Sequence, residues 1–85
     1  MHKTMSEMIL KIINPSGVQV ECNVSKVFLP GSAGAFEVLH NHAPIVSMLG
    51  KGLVKYEDSE GQMNEYAVKA GFVKVKENII TVCCE

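Results

Sequence analysis

The chain has 85 residues, of which 47% are hydrophobic and 20% charged, with a formal net charge of −1. That length holds one domain with a thin core, and the balance is that of a globular protein, not a disordered one. All eight basic residues are lysines, so the guanidinium forks that read guanine, phosphate and carboxylate are missing, which argues against nucleic-acid binding and an arginine-clamped anion site.

Residues 1–7 read as a frayed N-terminal tail and residues 8–85 as a single domain. The opening MHKTMSEMILKII lacks the apolar core and small-residue cleavage site of a signal peptide. No apolar run approaches the ~18–20 residues that span a bilayer, so direct membrane insertion is not expected. No long helical periodicity is present; short apolar or alternating runs are separated by turn residues, the pattern of strands. MILKII (8–13) meets the turn NPSG, then VQVEC (18–22) alternates, and VSKVFLP (24–30) leads into GSAG (31–34). AFEVL (35–39) and IVSML (45–49) flank the stretch LHNHAPI. GLVKYED (52–58) and QMNEYAVKAG (62–71) predict a hairpin across DSEG, and FVKVK (72–76) and IITVCC (79–84) one across EN. Eight to ten such strands predict a sandwich or barrel, with Val73 and Val75 facing in and Lys74 and Lys76 out.

Cys22, Cys83 and Cys84 are an odd set, and adjacent cysteines resist bridging each other. They predict reduced thiols in a cytosolic compartment. His40 and His42 would share one face if they lay in a strand, and two imidazoles can begin a metal site. With Gly34 they match the opening of the first cupin motif. The glutamate that should follow is replaced by Val46 and Ser47, the nearest later acid is Glu57, and the third histidine is His2 in the tail. A catalytic metal needs about three protein ligands, and this chain offers two in register. A cupin-like metal-binding barrel using His40 and His42 stands as the alternative from another class. Lys69 in YAVKAGF is the nearest candidate for the modified lysine of a lipoyl or biotinyl carrier, without that family's methionine or aspartate neighbours. Cys22 with His42 forms a nucleophile pair on paper only. No G-x-S-x-G elbow and no phosphate loop are present.

Residues 29–49, LPGSAGAFEVLHNHAPIVSML, resemble the signature of the epsilon subunit of F-type ATP synthase, in its N-terminal β-sandwich domain. Leu29, Pro30, Gly31, Gly34, Phe36, Asn41, His42, Ala43 and Pro44 fill the pattern, and MILKIINPSGVQVECNVSKVFLPG, GKGLVKYED and YAVKAGFVKVKENIITVCCE are similar to the flanking segments. The resemblance implies a flattened ten-stranded barrel of two packed sheets. It implies a non-catalytic subunit without cofactor or metal, in the central stalk, between the gamma subunit and the membrane c-ring. It also implies a peripheral place on the cytoplasmic face of a bacterial inner membrane. Gly31 and Gly34 are expected to permit positive φ in one protruding loop bracketed by Pro30 and Pro44. Matching that loop, Ser32, Ala33, Gly34, Ala35, Phe36 and His42 are the expected ring contacts, and Ala43, Pro44, Ile45 and Met48 the expected gamma contacts.

Three departures stand out. Many relatives carry acids where Ala33 and Ala35 stand, so ring contact here would use packing, backbone groups or His42. Position 40, often proline in the family, is His40. Typical relatives also continue as a helical hairpin of about 50 residues, and the sequence as read implies a coupling subunit without that inhibitory latch and without an ATP site.

Overall fold

Thirteen residues in succession, Gly17–Leu29, form one strand that serves both layers of the domain. The computed structural model describes residues 8–85, so the expected tail over residues 1–7 and its His2 lie outside the described residues. The elements are β1 (Met8–Asn14), β2 (Gly17–Leu29), β3 (Phe36–Val38), β4 (Ile45–Leu49), β5 (Gly52–Asp58), β6 (Met63–Val68), β7 (Gly71–Lys76) and β8 (Ile79–Cys84).

The all-β class is as expected, but the described residues form eight strands where the resemblance implies ten. One strand of that difference lies in β2. VQVEC and VSKVFLP, which read as two strands, are halves of one, because Asn23 takes an ordinary ladder place opposite Ile9. The strand changes neighbours along its length. Val24 has Met8 on one edge and Asp58 on the other, and Val27 has Val38 and Tyr56. β1 and β3 therefore follow one another along one edge, while β5 takes the other. Ser25 is skipped in the pairing with β5, and such a bulge bends the strand and sharpens its twist at the changeover.

The strand order is β4-β7-β8-β1-β2-β5-β6, with β3 on β2. All neighbours are antiparallel except β1 and β8, which run parallel from Ile9↔Ile79 to Ile13↔Cys83. The sheet curls until its ends enclose one core. Leu10, Ile12, Val73, Ile80 and Val82 from one layer and Val27, Val54 and Val68 from the other belong to the same buried cluster. Asn14 on β1 donates from Nδ2 to the Tyr66 hydroxyl on β6 at 3.3 Å, across the two layers. The remaining gap is closed by backbone: Ser32 N–H donates to Met48 O at 2.9 Å and Gly50 N–H to Pro30 O at 2.8 Å, around a Gly31↔Leu49 bridge.

Both expected hairpins form. In the β7–β8 turn Glu77 (φ 53°) and Asn78 (φ 64°) are both left-handed, as a two-residue hairpin requires. Asn tolerates this region and Glu does not, at about 1–2 kcal/mol for a residue without special tolerance. In the β5–β6 turn the Asp58 carboxylate accepts the N–H of Gln62 at 3.0 Å, the Asn64 amide at 3.0 Å and the N–H of Glu60 at 2.9 Å. These bonds, that of Gln62 foremost, then Asn64, hold its carboxyl below the usual carboxylate range.

Glu77→Asn is expected to raise the thermal midpoint by a few degrees. It relieves up to about 1 kcal/mol of left-handed strain, and each kcal/mol shifts a domain of this size by roughly 4–8 °C. Differential scanning calorimetry decides it, and an unchanged midpoint would mean that Glu77 is not strained. Because folding lowers the Asp58 pKa, its contribution is present at neutral pH and vanishes as pH falls through the folded value. The fall in thermal midpoint from pH 7 to pH 3 is therefore expected to be smaller in Asp58→Asn than in the parent chain. Equal falls would remove Asp58 from the acid response.

Candidate functional site

The segment 30–44 was expected as one protruding loop, and the fold breaks it into two turns separated by β3. The first turn, at residues 31–35, lies beside Met48 and Leu49, to which Ser32 and Gly31 are bonded. Its side chains Ser32, Ala33 and Ala35 are exposed, as is Gly34. Gly34 has the expected positive φ, at 141°. Gly31 does not; it is needed for space, since a Cβ there would stand 2.5 Å from Gly34 O and 3.0 Å from the Phe36 ring. Phe36 is half-buried against the core, so it underpins the turn from within and offers little outward contact surface.

The second turn, residues 39–44, lies at the opposite end of β4. His42 N–H donates to Leu39 O at 3.1 Å, closing the turn. Its ring Nδ1 is 2.7 Å from Ala43 O. A carbonyl only accepts, so the proton between them belongs on Nδ1. Asn41 is left-handed at φ 66°. Its N–H donates to Asn78 Oδ1 at 2.7 Å, and Asn78 Nδ2 donates back to Asn41 Oδ1 at 3.2 Å. Thus Ser32–Phe36 and His42, grouped together in the expected ring contact, stand at different ends of the sandwich. His42 is instead continuous with Ala43 and Pro44.

The paired-histidine reading assumed a strand, and His40 is in a turn. Among the described residues no three His, Cys, Asp or Glu side chains gather where a metal could be held. Cys22 lies opposite Leu10 in the β1–β2 ladder and packs on the core. Burial first, and the Asp58 carboxylate second, push its thiol pKa up, the reverse of what a nucleophile needs. Lys69 is exposed in the connection between β6 and β7, strands that do not pair with each other, so it is not at a hairpin tip.

The two outer faces differ in character. On the β2–β5–β6 side, Lys26 stands opposite Glu57 and Lys55 opposite Glu65, with exposed Met63 and Leu53 scattered among the charges. On the other side, cross-strand partners place Met48, Phe72, Cys83 and Ile13 in one row over four strands. Met48 is 62% and Phe72 43% exposed, and Val46 beside them 70%. The next row holds Lys74, Thr81 and Lys11. Ile45 was expected among the outward contacts, but β4 turns it onto the core and presents Val46. Sequence reading missed Val46, Phe72, Ile13 and Cys83 as surface partners of Met48. The alternation within each run was visible, but the row exists only through the parallel β1–β8 pairing.

Residues 7–85 match the family described as ATP synthase, Delta/Epsilon chain, beta-sandwich domain. The chain is 42% identical over 77 residues to the ATP synthase epsilon chain of Sulfurovum sp., spanning 91% of this chain and 60% of that protein. It is 35% identical over 81 residues to the epsilon chain of Campylobacter concisus, spanning 95% of this chain and 63% of that one. It therefore spans about three-fifths of the length of these relatives. The fold is similar to a chain in a cryo-EM structure of the Euglena gracilis mitochondrial ATP synthase, with a TM-score of 0.86 at 19% identity, covering 98% of this chain and 53% of that one. A chain in the central stalk and c-ring structure of Tetrahymena thermophila mitochondrial ATP synthase gives a TM-score of 0.76 at 13% identity, covering 99% and 66%. With an all-strand sandwich and a family match running from residue 7 to its last residue, this chain belongs to the β-sandwich domain family of ATP synthase delta and epsilon chains.

Proposed function

We propose that this chain is the sandwich of a non-catalytic rotor subunit, joining the gamma subunit to the membrane c-ring of an F-type ATP synthase. It would work without cofactor or metal, as a peripheral part of the complex on the cytoplasmic face of a bacterial membrane. The observation that carries this reading is the continuous apolar row on the β4–β7–β8–β1 face. A row of Met48, Phe72, Cys83 and Ile13 across four strands is too continuous for scattered surface apolars and suits a partner's surface. The relatives' identity as epsilon chains and the c-ring assemblies that hold the similar folds support the choice of partners.

Within this reading the gamma contact takes Ala43, Pro44, Val46 and Met48 along β4, with Phe72 beside them. Ile45 drops out because it faces the core. His42 joins this group, since it precedes Ala43 directly and lies an entire strand away from residues 32–35. The ring contact falls to Ser32, Ala33, Gly34 and Ala35, exposed at one end. These residues offer small side chains and one hydroxyl, so shape and hydrogen bonding replace ion pairing at that joint. The sandwich transmits torque as a rigid body and breaks no bonds itself. The alternative of a cupin-like barrel using His40 and His42 loses the shared strand face on which it rested.

Phe72→Glu and Met48→Glu are expected to weaken binding to the purified gamma subunit by tenfold or more, as central apolar anchors do. Glu65→Lys, on the charged face, should bind as the parent chain does. Isothermal titration of each variant against gamma provides the comparison, with circular dichroism as the check on folding. Equal affinities for all three folded variants would sink the assignment of this face.

A further inference from the structure

We infer that Asn78 is a positioning residue for the docking turn: its side chain clasps Asn41 across 37 residues of sequence and fixes how residues 39–44 present His42. The binding consequence rests on the function proposed above; the clasp itself does not.

A two-residue hairpin between β7 and β8 needs only a residue that accepts positive φ at position 78, and glycine would serve. Asn78 does more. Its backbone carbonyl accepts Ile9 N–H at 3.0 Å, holding the start of β1. Its side chain is left free to face the other way, and both ends of its amide are used on one residue. Oδ1 accepts the Asn41 N–H at 2.7 Å and Nδ2 donates to Asn41 Oδ1 at 3.2 Å. The Asn78 side-chain amide thus grips Asn41 twice, once at its backbone N–H and once at its side-chain oxygen. Both residues are left-handed, Asn41 at φ 66° and Asn78 at φ 64°. Asparagine is the residue that reaches this region while keeping a side chain that can bond.

The clasp matters because little else holds the turn. Its internal bonds run from His42 N–H to Leu39 O and from the His42 ring to Ala43 O. Among the described residues, the two bonds to Asn78 are the ones that tie 39–44 to another element before β4 begins its ladder at Ile45. Without them the turn keeps its shape locally but can swing as a unit about its ends. His42 follows Asn41 directly, so holding Asn41 holds the backbone from which the imidazole projects.

The test uses the full chain with Asn78→Gly, Asn78→Asp and His42→Ala. Glycine keeps the left-handed turn and removes the amide. Aspartate keeps an acceptor for the Asn41 N–H and loses the donor. Amide hydrogen exchange by NMR reads the clasp, and titration with the purified gamma subunit reads presentation. In Asn78→Gly, exchange at the Asn41 amide is expected to rise about fivefold, the factor one ordinary net hydrogen bond supplies. Ladder amides such as Leu10 and Val82 should keep their protection, and gamma binding should fall several-fold. Asn78→Asp should recover part of both. Unchanged exchange at Asn41 overturns the clasp, and so does a general loss of ladder protection, which would make Asn78 merely structural. Faster exchange with unaltered gamma binding, while His42→Ala binds weakly, overturns the positioning role. If His42→Ala binds as the parent chain does, the fault lies with the assignment of His42 to gamma, and exchange alone then decides the clasp.

Discussion

Val24 and Val27 are the hinge on which this domain is built. Both are fully buried, and each is flanked by partner strands on both edges. Between them β2 exchanges β1 for β3 on one side and takes up β5 on the other. The bulge at Ser25 supplies the bend that lets one strand belong to two layers. Burying one such valine contributes roughly 1.5–3 kcal/mol, a large share of the stability of a domain this small. The shared strand also fixes the layers relative to each other, so a force applied to one outer face is carried to the other end without a flexible joint. That rigidity suits the rotor role proposed above.

A second constraint closes the structure at its small-residue end. Gly31 has to lie under the Gly34 carbonyl and against the Phe36 ring, a space that admits no Cβ. Phe36 in turn reaches the core. The turn is therefore pinned from below by an aromatic ring and from the side by the bonds to Met48 and Pro30. Its N–H groups at Ser32 and Gly34 are already engaged within the chain. The exposed side chains of this tip are two methyl groups and a serine hydroxyl, with no charge at positions 33 and 35, so a partner docking there would be selected by shape.

Much of this was legible in the sequence because it depends on local chemistry. The turn signals NPSG, DSEG and EN each join two strands, and the alternation in FVKVK places Val73 and Val75 inside and both lysines outside. The family was legible from the glycines, prolines and His42 in residues 29–49. What could not be read was long-range. Asn23 looks like a breaker by composition, yet its ladder place opposite Ile9 overrides that preference and fuses two expected strands. Gly31 and Gly34 look alike, but one is chosen for φ and the other for contact. Asn41 and Asn78 each read as turn residues, and nothing in either turn announces that the two side chains meet. The loop expected over 30–44 was split because Phe36–Val38 finds a free edge on β2 that only the changeover at Val24 exposes.

The exposed row on the β4–β7–β8–β1 face has a physical consequence for the domain by itself. Met48, Phe72 and Val46 are more than two-fifths accessible, and apolar area left in water forgoes about 25 cal/mol per Å². A chain of this length has little core from which to offset that loss. Covering the row by a partner would recover it, and the recovered free energy would appear as added stability of the sandwich, by linkage. The lysines of the adjacent row, Lys74 and Lys11, keep the face soluble until then and limit which surfaces can approach it. A partner with acidic residues beside an apolar stripe would satisfy both rows at once, burying the stripe and pairing the lysines.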